Sequence, residues 1–140
     1  FYGNKEILYL GNLNARRDWG YANDYVKTMW LMLQQKKPSD YVISTGVSKS
    51  VKEFVNEAYD CIGVKIIWKG KGLREVGIDR KTNKILIKID KYYFRPTEVH
   101  ELRGDSSKAR RELKWKPKTS FKMLVKSMVE KDIQKLENSI

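Results

Sequence analysis

Apolar residues return every three or four positions in three stretches of the chain, and every second position in one, a rhythm that separates helices from strands. Ala22, Tyr25, Val26, Met29, Trp30 and Leu33 share one face of a helix predicted over 22–35, with Pro38 as its stop. Val51, Phe54, Val55, Ala58 and Ile62 do the same for a second helix, opened by the Ser50/Glu53 capping-box pattern and closed by Gly63. Phe121, Leu124, Val125, Met128, Val129, Ile133 and Leu136 form a third stripe, read as core packing, with Ser120 or Thr119 as cap. A short helix is predicted over 106–113, capped by Asp105. Strands are predicted at 7–10, 41–45 and 64–69. Between Glu75 and Ile89 the pattern is a hairpin, with the polar turn Arg80-Lys81-Thr82-Asn83 before alternating Ile85, Ile87 and Ile89. Strands and helices alternate without repeat, low-complexity tract or long linker, which predicts an α/β class.

The 140 residues suit one domain, and 41% hydrophobic content with four Trp argues against disorder. No apolar run approaches the 18 or so residues needed to span a bilayer, so no membrane association is expected. One cysteine, Cys61, builds no internal disulfide framework and fits a reducing, cytoplasmic setting. No secretion signal is read at the start, and a first residue Phe1 suggests a piece of a longer polypeptide. The net charge of +12 invites a nucleic-acid reading. The lysines, however, fall on polar positions of the periodic segments, as at Lys122, Lys126 and Lys131, which reads as solvated faces rather than a nucleic-acid surface. One Cys and one His supply too few ligands for zinc, and no aspartate-rich calcium loop occurs, so no metal site is expected. His100, with no spaced nucleophile or acid, is read as a surface residue.

Two places carry candidate chemistry. Arg17 stands in the loop 11–20, just before the first helix, where a planar guanidinium fork suits phosphate; the alternative is a surface ion pair with Asp18. Arg95-Pro96-Thr97-Glu98 follows the aromatic run Tyr92-Tyr93-Phe94, and the proline fixes the direction in which Arg95 is presented. Glu98 offers two acceptors for the vicinal hydroxyls of a ribose; locally, mutual pairing of Arg95 and Glu98 is the favoured alternative.

The run LYLGNLNARRDWGYANDYV, the aromatic helix that follows it, KYYFRPTEVHELRGD (Lys91 to Asp105) and SKARRELKWKP appear in order, and together resemble the GDP-mannose 4,6-dehydratases of the extended short-chain dehydrogenase/reductase group. The likeness covers essentially the whole chain. It implies the C-terminal, substrate-binding portion of an NAD(P)-binding Rossmann-superfamily enzyme, whose main nucleotide-binding half lies upstream. Residues of about 17–46 would complete that Rossmann sheet, and about 47–140 would form mainly the small substrate domain. It implies GDP-mannose as substrate, held at the diphosphate and ribose by Arg17, Arg95 and Glu98. It also implies NADP bound by the N-terminal half as partner, and a homodimer or homotetramer. The reaction implied oxidises the sugar at C4, eliminates water across C5 and C6 and returns hydride to C6, giving GDP-4-keto-6-deoxymannose on the way to GDP-fucose. No Gly-rich dinucleotide turn and no Tyr-x-x-x-Lys pair occurs here, so no catalytic or cofactor-binding residue is assigned and the fragment alone is expected inactive. One departure is Tyr21, where many relatives carry histidine. Two alternatives stay open: an epimerase or reductase for another nucleotide sugar, and a basic nucleic-acid-binding module.

Overall fold

A computed structural model describes residues 7–138. It contains seven strands: β1 Leu8–Leu10, β2 Arg16–Asp18, β3 Ser48–Ser50, β4 Ile66–Lys69, β5 Val76–Asp79, β6 Ile85–Ile89 and β7 Glu101–Leu102. Four α-helices are interleaved with them: α1 Ala22–Leu33, α2 Val51–Asp60, α3 Ser107–Glu112 and α4 Phe121–Glu137. The strands form a four-stranded sheet of order β1-β6-β5-β4 and a three-stranded sheet of order β3-β2-β7. β1 runs parallel to β6, and β2 parallel to β7. Residues 8–18 and 87–102 therefore travel side by side from one sheet into the other, and this double run positions the site.

The local signals act as anticipated in several places. Ser50 Oγ accepts from the Glu53 N–H at 3.0 Å while Glu53 accepts from the Ser50 N–H at 2.8 Å, the reciprocal capping box at the start of α2. Gly63 takes φ +74°, the left-handed stop that a Cβ would disfavour. The hairpin turn is closed by the Asp79 carboxylate, which accepts from the Lys81 N–H and the Thr82 hydroxyl, with Asn83 at φ 58°. The Asp105 carboxylate accepts from the Ser107 N–H at 2.9 Å, but α3 begins one residue later than predicted, so Ser106 rather than Asp105 stands at the N-cap.

One core cluster gathers around Ala109, Leu113 and Trp115, against which Tyr25, Leu31, Met32, Tyr41 and Ile43 pack, while Leu13, Ile87 and Val125 are fully buried elsewhere. The Trp115 ring N–H donates to the Asp24 carbonyl at 3.0 Å, and the Asp24 carboxylate accepts from the N–H groups of Lys118 and Thr119, so the start of α1 is tied to the approach to α4. Phe54 of α2 lies between Trp19 and Phe121, at centroid distances of 4.8 and 5.9 Å.

Two expectations need correction. Residues 41–45 form no strand, because none of the described residues offers them a ladder partner; Tyr41 and Ile43 pack on the core cluster, Lys108 lies over the Tyr41 ring, and the Ser44 and Thr45 carbonyls accept from Ser106 and Arg110. The apolar face of α1 lies outward: Val26, Met29 and Trp30 are each 59% exposed and Leu33 81%, while fully buried Thr28 marks the inner side. In α4 Leu124 and Val125 are buried and Phe121, Val129 and Ile133 half-buried, whereas Met128 and Leu136 of the same stripe stay exposed. Lys122, Lys126 and Lys131 are exposed, as solvated faces require. Among the described residues no helix is long and apolar enough to cross a membrane.

Candidate functional site

β2 is only three residues long, and both neighbours are needed to fix it. Arg17 stands opposite Lys49 of β3 and Leu102 of β7. Side chains alternate along a strand, so Arg16 and Asp18 leave one face and Arg17 the other. Arg16 donates to Glu53 Oε2 at 3.2 Å and to the Ser48 carbonyl at 2.7 Å. The Asp18 carboxylate accepts from the Thr45 N–H (2.8 Å), the Thr45 hydroxyl (2.6 Å) and the Gly46 N–H (2.8 Å), so it pins the 45–46 turn rather than pairing with Arg17.

Arg17 turns instead towards the loop that leads into β7. Its guanidinium donates to the carbonyls of Arg16 (2.7 Å) and Val99 (3.0 Å), and to Glu98 Oε1 at 2.7 Å. Both side chains of the Arg17–Glu98 pair are one-quarter exposed, so the contact is only partly screened. Three of the five guanidinium donors are thereby used, and Glu98 spends one of its two oxygens. The remaining donors and the second carboxylate oxygen have no protein partner among the described residues, which leaves guanidinium donors and a carboxylate acceptor free beside one another.

The resemblance named three residues, and the fold unites two of them. Arg17 and Glu98, 81 positions apart, are in direct contact. Arg95 sits three residues before Glu98, with its carbonyl accepting from the Glu98 N–H at 3.3 Å, but its side chain is exposed and makes no hydrogen bond or ion pair among the described residues. The local pairing of Arg95 with Glu98 is therefore replaced by the long-range pairing of Glu98 with Arg17.

An open cleft of about 500 Å³ adjoins Arg17, lined also by Asp18, Tyr25, Ser44, Leu102 and Arg103. Burial, with smaller contributions from Asp18 and Asp24, raises the Tyr25 phenol above its ordinary value, so it remains a neutral donor across the physiological range. Tyr21 precedes α1 without capping it through its side chain; its hydroxyl accepts from Asn23 at 3.0 Å. His100 is exposed, and its carbonyl accepts from the Arg16 N–H.

Motif reading missed the Asp18 clamp, because Asp18 was weighed only against its neighbour Arg17. Nothing in the spacing joins position 18 to 45. Arg103 was equally silent, since it is drawn to the cleft by the parallel pairing of β2 with β7.

The model of the GDP-mannose 4,6 dehydratase family matches residues 2–128. The chain belongs to the GDP-mannose 4,6-dehydratase family. A GDP-mannose 4,6 dehydratase of Dictyostelium discoideum is 54% identical over 136 residues, covering 97% of this chain and 38% of that relative. The Homo sapiens GDP-mannose 4,6 dehydratase is 48% identical over 134 residues, covering 96% and 36%. The chain thus spans little more than a third of the length of these GDP-mannose 4,6-dehydratases. Among solved structures, RMD from Pseudomonas aeruginosa complexed with NADPH superposes with a TM-score of 0.68 at 17% identity, over 89% of this chain and 35% of that one. At that identity the likeness establishes a shared α/β fold.

Proposed function

We propose that this chain is the nucleotide-sugar-binding portion of a GDP-mannose 4,6-dehydratase, and that Arg17, Glu98 and Arg95 hold the nucleotide of GDP-mannose. The observation that carries the reading is the Arg17–Glu98 contact at 2.7 Å, which leaves free guanidinium donors beside a free carboxylate oxygen. Donors of that planar geometry suit diphosphate oxygens, and the carboxylate suits ribose hydroxyls. Arg95, exposed and unpaired among the described residues, supplies a second cation when the loop folds over a bound diphosphate. The full-length protein would be a lyase converting GDP-mannose to GDP-4-keto-6-deoxymannose with loss of water, in the cytoplasm, as a homodimer or homotetramer.

The described residues offer no Gly-rich turn opening a helix, so this segment does not fit NADP, and the cofactor is assigned to the N-terminal half. When bound there, it would supply the hydride exchange of the reaction. What this portion contributes is binding and orientation of the sugar nucleotide. We also assign residues of about 17–46 to the Rossmann sheet of that half. The segment 41–45, without a ladder partner among the described residues, and the outward apolar side of α1 support this, since both leave groups uncovered that a neighbouring sheet would pair and bury.

Titration of GDP-mannose against the full-length protein tests the site. Arg17→Ala is expected to weaken binding by about 2 kcal/mol or more, roughly thirtyfold, with smaller losses for Glu98→Ala and Arg95→Ala. Unchanged affinity in all three variants would remove the site. A nucleic-acid-binding module would instead show affinity falling steeply with salt.

A further inference from the structure

The loop between β6 and β7 carries, besides Arg95 and Glu98, two adjacent aromatic side chains that the packing of the fold does not use. Tyr92 is 86% exposed and Tyr93 54%, whereas Phe94 beside them is partly buried. The two rings meet edge to face, with centroids 5.2 Å apart and planes at 83°. Such a corner presents a broad π-face to solvent at a cost of only two side-chain torsions per ring.

The corner is also rigidly founded. Asp90 accepts from the Tyr92 N–H through its carboxylate at 2.8 Å, and from the N–H groups of Tyr93 and Phe94 through its carbonyl, both at 3.1 Å. On the other side Gly11 lies flat against the loop: a Cβ there would fall 2.2 Å from the Tyr93 carbonyl oxygen, so the close approach requires glycine. From Tyr93 the chain reaches Glu98 in five residues, a span of at most about 18 Å even if fully extended. Turns at 90–94 and 95–98 make it shorter. A nucleotide whose phosphates meet Arg17 and whose ribose meets Glu98 therefore has this aromatic corner within the same loop.

We propose that Tyr92 and Tyr93 form the stacking platform for the base of the bound nucleotide. This rests on the diphosphate reading of Arg17 and adds the base-binding part of that site. Stacking on an aromatic face is tolerant of base identity, so the platform contributes affinity, and the choice of guanine is made by other contacts.

The test uses GDP and inorganic pyrophosphate as separate probes of the full-length protein by calorimetry. The double substitution Tyr92→Ala/Tyr93→Ala is expected to weaken GDP roughly 5- to 150-fold while leaving pyrophosphate unchanged, and Tyr92→Phe/Tyr93→Phe to keep both affinities. GDP binding untouched by the alanine pair overturns the platform, as does an equal loss for both probes, which would mean that the loop has merely shifted. Arg17→Ala separates the two levels: it should weaken both probes, and if neither changes, the diphosphate reading fails and the platform with it. A second measurement avoids substitution altogether. GDP, but not pyrophosphate, should displace the tyrosine ring proton resonances of the unaltered protein, and a spectrum in which GDP moves no tyrosine signal overturns the assignment.

Discussion

The carboxylate of Glu53 collects donors from three directions: Lys49 Nζ and the Ser50 N–H at 2.8 Å each, and Arg16 at 3.2 Å. The Lys49 hydrogen bond above all, then the Ser50 N–H, lower its pKa from 4.5 to about 2. A carboxylate depressed in this way stabilises the fold fully above its unfolded pKa, and the contribution is lost as pH falls through the folded value. The melting temperature of the protein should therefore exceed that of Glu53→Gln at neutral pH, with the margin shrinking between about pH 4.5 and 2, as thermal melts across that range would record. Asp18 works differently, by fixing backbone. In Asp18→Asn an amide N–H₂ would face one of the Gly46 or Thr45 donors, so the substitution should cost about 1–3 kcal/mol in urea denaturation. Because the clamp sits on the strand that carries Arg17, the same variant should also weaken nucleotide binding.

At the scale of single elements, Ser50→Ala isolates the cap of α2 and is expected to lower stability by about 1 kcal/mol, read from a shift in denaturation midpoint without a change in slope. That cap was legible in the sequence because Ser50 and Glu53 satisfy each other within four residues. Gly63 and the turn at Asn83 were legible for the same reason: their conformations are local. Residues 41–45 were not, since Tyr41, Val42 and Ile43 state a strand's composition, while a strand exists only where another segment supplies the ladder. The apolar stripe of α1 was legible as one helical face, and the structure leaves that face uncovered. This helix is apolar on two sides, and periodicity alone cannot say which side meets the Trp115 cluster. The site divides along the same line. Arg17, Arg95 and Glu98 were each marked by their motifs, but the contact of Arg17 with Glu98 depends on β2 meeting β7, a pairing of strands too short to announce themselves.

For the whole molecule the chief liability is the outward side of α1. Val26, Met29, Trp30 and Leu33 form one continuous exposed stripe, and burying a side chain of this size is worth about 1.5–3 kcal/mol. The 140-residue chain by itself should bind an apolar dye and self-associate, and Leu33→Lys should reduce both while changing its stability by no more than about 0.5 kcal/mol. In the full-length protein the proposed assignment of α1 to the Rossmann half covers the stripe, and on that proposal the same substitution should cost about 1.5–3 kcal/mol. A sharp monomeric melt of the short chain without dye binding would contradict this account.

The side-by-side course of residues 8–18 and 87–102 has a bearing on how the protein acquires its site in time. Two ladders that join such distant stretches carry a large loop-closure penalty and form late on the way to the native state. During synthesis, a nascent chain that has emerged only as far as the hairpin holds Arg17 but no acidic counterpart for it. The proposed nucleotide site is therefore completed late, when the segment ending at Leu102 pairs with β2 and brings Glu98 to Arg17.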